Sequence, residues 1–470
     1  MFELRRADKN YSAVTSEISL QEKFFGGRIF FALIIEFERD EKIFMDNVIK
    51  IGLLGAGTIG GSVIEVLQKN RDIISQRANT AIDIKKILVL PREIPALEER
   101  GLPATNNYDE ILNDPEIKIV VELMGGVKPA KDFILQAMAH GKHVVTANKD
   151  VVAQFGHELF DAAAAHQIDF LFEAAVGGAI PIIMPLKRSL TANKITEVLG
   201  IVNGTTNYML TKMSELGADY DTVLKEAQAH GYAEANPAAD VEGKDAARKI
   251  AILASIAFNS RVRFEDVSVE GITKITPSDI NYATELGYVM KLLAVGRDTE
   301  LGVDVRVNPV LLPKAHPLAA VSGVMNAVFV RGWPIEEAMF FGPGAGKPTA
   351  SAVVSDIIEI ARGLGRGAAG RFGCTCYHKR NICPVEETVS SYYIRLLVDD
   401  KPGVLGKIAT TFGNVDVSLK SVVQTKTELL DHVEIVVITH KVKHKNILEA
   451  QAALKALSVV DEIFNVIRVE

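Results

Sequence analysis

The sequence predicts an α/β protein in three parts: a doubly wound parallel sheet, a mixed α+β domain and a small C-terminal domain of the ferredoxin-like type. Apolar runs of strand length alternate with helical stretches from 47 to 175, which indicates a parallel sheet with helices on both faces. From 176 to 345 the alternation gives way to a mixture of strands and helices. Residues 391–470 follow the order βαββαβ, which is typical of the ferredoxin-like arrangement.

The predicted elements fall into three groups. In 47–175, strands are predicted at 48–54, 84–90, 117–123, 143–146 and 170–173, and helices at 59–67, 128–140 and 151–166. In 176–345, strands are predicted at 194–202 and 288–295, and helices at 205–216, 220–230 and 240–258. A helix within 346–365 returns to the first domain, and 366–390 form a linker. In 391–470, strands are predicted at 391–398, 415–424, 431–439 and 462–469, and helices at 404–412 and 445–457.

Composition is typical of globular proteins from a reducing compartment. Of the 470 residues, 48% are hydrophobic and 24% are charged, and the formal net charge of −7 argues against a nucleic-acid partner. Three cysteines are too few for a disulfide framework. No apolar run is long enough to span a membrane, so we expect a cytoplasmic protein with no membrane partner.

Residues 1–46 form an N-terminal extension of unknown role. Its apolar run IFFALIIEF follows two arginines, as in a signal peptide, but charged residues come next and no small-residue cleavage site is present. Either the extension is an ordered part of the protein, or translation begins at Met45.

The segment Gly55-Ala-Gly-Thr-Ile-Gly60 fits G-x-G-x-x-G, directly after a predicted strand and at the start of a predicted helix. In a Rossmann-type dinucleotide-binding unit, the first glycine allows a tight turn, the second (Gly57) lets the backbone approach a pyrophosphate, and the third lets helix and strand pack closely. Thr58 and Ile59 open the helix, whose free N–H groups suit phosphates. The alternative, a plain structural turn, is disfavoured by this context.

The nucleotide preference depends on the end of the second predicted strand. An acidic residue there binds a ribose 2′-hydroxyl and favours NAD, but Asp83 lies at the start of that strand instead. Arg92 follows its end and suits a 2′-phosphate, so we expect NADP, with NAD as the alternative. Arg92 is equally consistent with an ordinary surface arginine.

Two later segments carry polar groups suited to catalysis. GIVNGTTNY places Asn203 and Thr205 where a strand runs into a helix, and there they either line a site or cap the helix. In GYAEANPAADVEGKDAARKI, Asp240 is predicted to cap a helix on which Asp245 and Lys249 share a face, four residues apart.

This last pair has two interpretations. One is an exposed ion pair worth about 0.3–0.5 kcal/mol. The other is a lysine held beside a carboxylate in a cleft, where its ammonium group stabilises and protonates a carbonyl oxygen that receives a hydride. Glu234, in the loop before the helix, is suited to a substrate ammonium group.

Together these segments resemble homoserine dehydrogenases, from about Val48 to the end of the chain. The matching stretches are VVTANK, FEAAVGGAIP, GIVNGTTNY, GYAEANPAADVEGKDAARKI, HPLA and FGPGAGKPTASA. The resemblance implies reversible, NAD(P)H-dependent reduction of L-aspartate 4-semialdehyde to L-homoserine, on the route to threonine and methionine. It also implies that 47–175 bind the nucleotide and that 176–345 are the catalytic and dimerisation domain of a homodimer or homotetramer.

The resemblance also implies roles for individual residues. The proton donor is Lys249 and its partner carboxylate is Asp245. The substrate-binding residues are Glu234, Lys149, Tyr232, Asn203 and Thr205. The nucleotide contacts are Gly55, Gly57, Thr58, Ile59, Gly60, Arg92, Met124, Gly125, Lys149 and Gly346. A monovalent cation, Na⁺ in the family, is assigned to Glu173, Val176, Gly178 and Ile180, because oxygen ligands suit a hard cation.

The chain departs from the family at a few positions. Asn236 stands where aspartate is usual, which either weakens a substrate contact or alters the turn. Lys244 stands where an apolar residue is common, and we expect it to place a second cation near Asp245. The segment RGWPIE at 331–336 is unusual, and 1–46 have no family counterpart.

Two other functions compete with this one. A reductase of another semialdehyde or imine is disfavoured by GYAE and the segment that follows it. A non-catalytic sensor of nucleotides and amino acids on the same scaffold would have lost at least one of Lys149, Glu234, Asp245 and Lys249, and all four are present.

The C-terminal βαββαβ unit, with DDKPGVL at 399–405, resembles an ACT domain, a regulatory module that binds amino acids between paired copies. Threonine, as a feedback inhibitor, is the expected effector, with 416–424 lining its pocket. The alternative is a module that only joins subunits.

The three cysteines, Cys374, Cys376 and Cys383, lie beside His378 in the predicted linker. Three interpretations are open: a zinc site completed by another chain, a redox or intersubunit disulfide, or plain thiols.

Overall fold

The computed structural model describes residues 48–368, 370–426 and 431–470. The predicted extension at 1–46 lies outside the described residues. The predicted fold class is confirmed: a parallel doubly wound sheet is followed by a mixed sheet and by a C-terminal βαββαβ domain. Within the described ranges, no helix has the length and apolar character needed to cross a membrane.

The first domain is a six-stranded parallel sheet flanked by helices. Its elements are β1 (Ile49–Leu54), α1 (Thr58–Lys69), α2 (Arg71–Ala78), β2 (Ile82–Leu88), α3 (Ile94–Glu98), β3 (Ala104–Thr105), α4 (Asp109–Leu112), β4 (Ile117–Glu122), α5 (Ala130–Ala139), β5 (His143–Thr146), α6 (Lys149–Ala165) and β6 (Phe170–Leu171). The strand order is β3-β2-β1-β4-β5-β6, with every neighbouring pair parallel. In such a sheet the ligand crevice opens at the carboxyl ends of β1 and β4, where the strand order reverses.

The second domain supplies most of a mixed sheet and the helices that cover it. Its elements are β7 (Lys194–Ile201), α7 (Gly204–Leu216), α8 (Tyr220–Ala229), α9 (Ala238–Val241), α10 (Lys244–Ala257), β8 (Ser268–Val269), α11 (Pro277–Glu285), β9 (Tyr288–Thr299), β10 (Gly302–Pro313), β11 (Met325–Trp333) and β12 (Glu336–Pro343). The chain then returns to the first domain through α12 (Thr349–Leu364), which packs against α1.

Strand β1 is buried on both faces because helices cover both sides of its sheet. Ile51 and Leu53 point to one face and pack in a core with Val63 of α1 and Val353 of α12. Leu54 points to the other face and belongs to the core that includes α5. This two-sided burial explains why β1 is mostly apolar, with Lys50 as its one charged residue, and it holds the glycine loop that follows at a fixed place.

The C-terminal domain continues the second sheet. Its elements are β13 (Val389–Asp399), α13 (Val404–Gly413), β14 (Leu419–Lys426), β15 (His432–Thr439), β16 (Val442–Lys443), α14 (His444–Lys455) and β17 (Val460–Val469). The full order is β12-β11-β7-β9-β10-β17-β13-β15-β14, and β17 runs parallel to β10 where Leu311 faces Val469. The carboxylate of Glu470 adds ion pairs to Arg297 and Arg306 at this junction. The C-terminal domain is therefore joined to the catalytic sheet edge to edge.

Three details of the predicted secondary structure are wrong. The predicted helix 240–258 is two helices, α9 and α10, because Gly243 takes φ = +84° between them. Asp240 therefore lies inside α9 and does not cap the catalytic helix. The long strands β10, β11 and β12 were not predicted. The predicted strand 170–173 ends at Leu171, since Glu173 already begins a 3₁₀ turn.

The segment predicted as a linker, 366–390, lies against the second domain. His378 forms a β-bridge with Ser260, and Ile382 forms one with Val303. The chain between the returning helix and the C-terminal domain is thus held by backbone hydrogen bonds.

A buried lysine anchors α7 to the loop before β11. Lys291 donates to the side-chain oxygen of Asn207 and to the carbonyl of Val321, while the Asn207 amide donates to the carbonyls of Gly323 and Met325. Burial lowers the pKa of Lys291 to about 8, from 10.5. Between these two values the unfolded chain binds more protons than the folded protein, so this group makes stability rise with pH across that window.

We therefore predict a pH-dependent difference between the wild type and Lys291→Met. The melting temperature of the wild type should rise relative to that of the variant between pH 8 and 10. Calorimetric scans at several pH values measure this, with the exposed Lys274→Met as the control, for which no such trend is expected. Parallel curves for wild type and Lys291→Met would contradict the prediction.

Candidate active site

The glycine loop after β1 has the geometry of a phosphate-binding turn. Gly55 takes φ = +96°, and a Cβ there would lie 3.0 Å from the carbonyl oxygen of Leu123. A Cβ on Gly60 would lie 2.2 Å from the carbonyl oxygen of Gly55, so only glycine lets α1 approach the loop. Gly57 is exposed with open space beside it, and Thr58 and Ile59 begin α1. The open helix N-terminus and the tight loop fit a dinucleotide pyrophosphate.

A buried carboxylate shapes the neighbouring loop, and sequence reasoning missed it. Glu122 ends β4, accepts the N–H of Met124 at 2.8 Å and the hydroxyl of Thr146 at 2.6 Å, and has its pKa raised by burial. Gly125, next in the loop, takes φ = +76°. Met124 and Gly125 therefore stand at the carboxyl end of β4, beside the glycine loop. The only available signal was an acidic residue at the end of an apolar strand.

Arg92 and Gly346 lie on other loops of the first domain. Arg92 is exposed in a short 3₁₀ turn, 91–93, immediately after β2. Gly346, with φ = +76°, lies in the exposed loop before α12, and its carbonyl accepts the N–H of Thr349 at 3.1 Å. The hydroxyl of Thr349 is buried and has no hydrogen-bond partner in the described part of the chain.

The predicted lysine and carboxylate share one face of α10 and form a close ion pair. Lys249 Nζ lies 2.7 Å from Oδ2 of Asp245 and donates to the carbonyl of Val202 at 2.6 Å. Both side chains are largely buried, with 12% and 9% of their surfaces exposed. An exposed surface pair is therefore excluded, since this ammonium is held between α10 and the end of β7.

A second lysine reaches the same carboxylate from the first domain. Lys149, the first residue of α6, places its Nζ 3.3 Å from Oδ1 of Asp245. Burial of Asp245 favours its neutral form, but the two ammonium groups outweigh burial and hold its pKa well below the usual value. Burial likewise opposes the charge of Lys149, and Asp245 outweighs it, so the pKa of Lys149 is raised. Asp245 therefore stays ionised and both of its oxygens face a cation.

Asn148, the residue before Lys149, connects the start of α6 to the loop beside the predicted nucleotide crevice. Asn148 caps α6 by accepting the N–H of Val151, and its amide donates to the carbonyl of Gly126 at 2.6 Å. The loop after β4, the start of α6 and the Asp245 carboxylate are thus connected by successive polar contacts. This chain of contacts joins the predicted nucleotide crevice to the lysine pair.

Asn203 and Thr205 are drawn into the same cluster, but their polar atoms are already used. The Asn203 amide donates to Asp240 at 2.7 Å and to Asp245 at 2.9 Å, while its oxygen accepts the N–H of Thr206. The Thr205 hydroxyl donates to the carbonyl of Tyr232 at 2.6 Å. Both residues therefore position the carboxylates and the loop 231–237. Asp240, which was predicted as a helix cap, is instead a member of this network, and burial raises its pKa.

The loop 231–237 carries the exposed candidates for substrate binding. Glu234 is exposed, with its carbonyl accepting the amide of Gln228. The ring of Tyr232 is 45% exposed and packs 4.9 Å from the ring of Tyr208. Asn236 accepts the N–H of Ala238 at 3.3 Å, so it forms the turn that leads into α9.

Lys244 does not act on Asp245. Its ammonium pairs with Glu242 and half of its side chain is exposed, although it is the first residue of α10. The second cation beside Asp245 is Lys149, from the other domain. The expectation for Lys244 was wrong because the first turn of α10 directs residue 244 outward and residue 245 inward.

The candidate cation loop has a buried carboxylate held by backbone N–H groups. Oε1 of Glu173 accepts from Ile182 at 2.5 Å and from Ile183 at 2.7 Å, and Oε2 accepts from Met184 at 2.6 Å. Burial raises the pKa of Glu173. Asp356, from α12, is fully buried beside it, accepts the Glu173 N–H, and has its pKa raised by burial.

The other assigned cation ligands are backbone carbonyls of the same loop, contributed by Val176, Gly178 and Ile180. Among the described residues, no backbone N–H of a turn or loop donates to these three carbonyl oxygens. Gly178 takes φ = +57°, and a Cβ there would lie 2.4 Å from the backbone of Gly344, so glycine is required. The carbonyls suit a hard cation, whereas the carboxylate is already compensated by three N–H donors.

The cysteines do not assemble the zinc site that was considered. Cys383 is buried and lines a different pocket from the exposed Cys374 and the partly buried Cys376. Among the described residues, three His, Cys, Asp or Glu side chains come close enough together to hold a metal ion at one place only. These are Asp399, His432 and Asp461, in the C-terminal domain.

Comparison with known proteins assigns all three regions. The family model described as "Homoserine dehydrogenase" matches 181–358, and "Homoserine dehydrogenase, NAD binding domain" matches 55–173. The model of the ACT domain matches 392–459. The resemblance inferred from the motifs is therefore confirmed.

Individual relatives agree over nearly their whole length. A homoserine dehydrogenase of Synechocystis is 48% identical over 90% of this chain and 99% of its own. The crystal structure of a homoserine dehydrogenase from Thiobacillus denitrificans, 42% identical, superposes with a TM-score of 0.85 over 90% of this chain and 98% of that one. A hyperthermophilic archaeal homoserine dehydrogenase in complex with NADPH, 26% identical, covers 67% of this chain and 97% of its own with a TM-score of 0.57. With its glycine loop, its paired lysines and its C-terminal ACT domain, the chain belongs to the homoserine dehydrogenase family of oxidoreductases.

Proposed function

We propose that Lys249 is the proton donor when L-aspartate 4-semialdehyde is reduced to L-homoserine. The observation that supports this role is the set of hydrogen bonds made by its ammonium group. An ammonium has three N–H donors, and two of them are used by Asp245 and by the carbonyl of Val202. The third remains for the oxygen of a substrate aldehyde. A fixed donor at that point stabilises the negative charge that grows on this oxygen.

Asp245 orients Lys249 through their ion pair. Its carboxylate stays ionised between two ammonium groups, and Asn203 fixes its position through a 2.9 Å hydrogen bond. The bound nicotinamide supplies the hydride. Lys249 delivers its proton to the resulting alkoxide oxygen, and in the reverse direction its neutral amine accepts the hydroxyl proton of homoserine. Lys149 adds a second positive charge at the same point.

The substrate's amino-acid end belongs, in this proposal, to the loop 231–237. Glu234 offers an exposed carboxylate to the substrate ammonium, and Tyr232 lies beside it on the exposed side. Thr205 supports this loop by donating to the Tyr232 carbonyl. The loop is thus linked to the helix that follows Asn203. This link keeps the site for the substrate ammonium at a fixed position relative to the lysine pair.

For the nucleotide, we propose a preference for NADP. Arg92 supports it because the guanidinium is exposed directly after β2, where dinucleotide folds hold the ribose 2′-substituent. NADPH is the nucleotide named for the archaeal relative.

Removing this arginine should change the preference. In Arg92→Ala, the KM for NADPH should rise roughly 5- to 30-fold, on the order of 1–2 kcal/mol for one charge-assisted phosphate contact, with the KM for NADH nearly unchanged. Steady-state kinetics with both nucleotides measure this, and the exposed Arg100→Ala is the matched control. An equal change for NADPH and NADH would show that Arg92 does not read the 2′-phosphate.

We further propose a monovalent cation, Na⁺, at the loop of Glu173. The carbonyls of Val176, Gly178 and Ile180 supply the oxygen ligands, and the buried Glu173 carboxylate supplies nearby negative charge. Because this loop contacts α12 through Asp356, the cation would stabilise the junction between the first and second domains.

Threonine is the proposed effector of the ACT domain, with 416–424 and the turn before α13 as its pocket. The edge strand β14 is free in the described chain to pair with a second copy, as is the edge strand β12. These two edges support a homodimer or homotetramer. A reducing, cytoplasmic compartment suits the three free cysteines.

One assay tests these assignments together. The purified full-length protein should oxidise L-homoserine with NADP faster than with NAD at equal concentrations, and threonine should inhibit it. Replacing Na⁺ by choline should lower the rate. Absence of homoserine oxidation with either nucleotide, in protein shown to be folded, would refute the catalytic proposal. Insensitivity to threonine would refute only the effector.

A further inference from the structure

A pocket lies behind the two helices that carry the paired lysines. It is partly open to solvent and is lined on one side by α6, including Phe160, and on the other by α10, including Ser255. Lys149 begins α6, and Lys249 lies in the second turn of α10. The pocket therefore adjoins both helices that carry the lysine pair.

The third wall of the pocket is the segment Cys374-Thr375-Cys376. It is fixed from the second domain: the side chain of Asn259 donates to the Thr375 carbonyl at 3.0 Å, and the His378 N–H donates to the Asn259 carbonyl at 2.8 Å. The Cys376 thiol points toward the Ser255 carbonyl of α10 at 3.9 Å. These contacts hold the segment in a fixed position in the pocket wall.

The two thiols interact with each other and differ in character. The Cys376 N–H donates to the sulfur of Cys374 at 3.4 Å. The Cys376 side chain and N–H, together with the Lys187 ammonium, lower the pKa of the Cys374 thiol to about 6, whereas the pKa of Cys376 is raised. Cys374 is the more exposed of the two residues, and these neighbours favour its thiolate, the form that reacts with electrophiles.

A lysine is held in place beside this thiolate. Lys187 donates to the Gly373 carbonyl at 3.0 Å and lies 4.9 Å from the ring centroid of Phe160 and 5.8 Å from that of Phe172. The aromatic rings restrain a positive charge next to Cys374. A reactive, cation-flanked thiolate beside a second thiol is the arrangement of redox-sensing cysteines.

Geometry permits the two sulfurs to bond. Two residues apart, the Cα atoms of Cys374 and Cys376 are separated by at most roughly 7 Å, near the upper end of the range of about 4.4–6.8 Å found in disulfides. The sulfur of Cys374 already lies 3.4 Å from the backbone nitrogen of Cys376. A disulfide closing so small a ring is strained and easily reduced, which suits a reversible bond in a reducing compartment.

We propose that Cys374 and Cys376 form a dithiol site that hydrogen peroxide converts reversibly to a disulfide, which slows the dehydrogenase by altering the packing of α6 against α10. The Cys374 thiolate attacks one peroxide oxygen, the O–O bond breaks, and the other oxygen leaves as water after taking a proton. The resulting sulfenic acid is attacked by the Cys376 sulfur. The S–S bond forms, the S–O bond breaks, and a second water leaves. Both thiols are oxidised and the peroxide is reduced, with two waters formed.

The experiment oxidises the reduced full-length protein with hydrogen peroxide, alkylates the remaining thiols under denaturing conditions, and analyses peptides by mass spectrometry. The wild-type peptide containing Cys374 and Cys376 should lose two hydrogens and resist alkylation, while Cys383 should still be alkylated. Turnover with homoserine should fall several-fold in the same samples and return with dithiothreitol. The effect on turnover rests on the proposed function, whereas the mass change does not.

Three variants separate the steps. Cys374→Ser should neither form the bond nor lose activity with peroxide. Cys376→Ser should trap a sulfenic acid on Cys374, detected as a dimedone adduct. Cys383→Ser should behave like the wild type. Two results would overturn the proposal: Cys374 and Cys376 remaining thiols at peroxide levels that oxidise free cysteine, or a fully formed disulfide that leaves turnover unchanged.

Discussion

In Lys249→Ala, kcat for homoserine oxidation should fall by roughly 10³-fold or more, because the variant loses both the proton-transfer group and the charge that stabilises the oxygen. NADP should bind with nearly unchanged affinity, since the Lys249 ammonium is held by Asp245 and the Val202 carbonyl, both in the second domain. Steady-state kinetics and calorimetric titration of NADP measure the two effects.

The matched control for this variant is Lys244→Ala. Lys244 begins the same helix but is exposed and pairs with Glu242, so its removal should change kcat less than twofold, as expected for a surface ion pair. Near-normal turnover of Lys249→Ala would end the role proposed for this lysine.

The second large effect is expected for Asp245→Ala. Removal of this carboxylate leaves Lys249 buried without its counter-ion, and breaking a buried pair in this way costs about 3–5 kcal/mol of stability. Thermal unfolding should therefore begin at a clearly lower temperature, and turnover should be lost as the ammonium group loses its position. Calorimetry and activity at a permissive temperature measure these outcomes.

Two further variants interpret the result. Asp245→Asn keeps the shape and part of the hydrogen bonding but removes the charge, so it should retain more stability than Asp245→Ala while remaining catalytically impaired. Glu242→Ala breaks only the exposed pair with Lys244, and should cost less than about 1 kcal/mol. If Asp245→Ala were as mild as Glu242→Ala, the buried pair would not be the structural centre of the site.

The first domain was predictable because its signals are local. The apolar run of β1, the glycine loop and the helix after it are adjacent in sequence, and burial on both faces makes β1 mostly apolar. Strand β10 was missed for the opposite reason. It buries Asp304, Arg306 and Asn308, which read as surface residues until the partner of Arg306, Glu470, is brought in from the other end of the chain.

The site, too, was predictable only where its signals are local. The spacing of Asp245 and Lys249 placed them on one helix face, which is a property of the helix alone. The contact of Lys149 with Asp245 joins two domains, and the hydrogen bonds of Asn203 to two aspartates join three helices. The break at Gly243 depends on a left-handed backbone conformation that hydrophobic periodicity does not report. Tertiary packing decides all three.

The central claim is that the Lys249 ammonium meets the reacting oxygen of the substrate. A crystal structure of the protein with NADP and L-homoserine tests it most directly. We predict that Nζ of Lys249 lies within hydrogen-bond distance, about 2.7–3.2 Å, of the homoserine hydroxyl oxygen, with Asp245 still bound to the same lysine. A hydroxyl group held by a different residue, with Lys249 turned toward bulk water, would contradict the account.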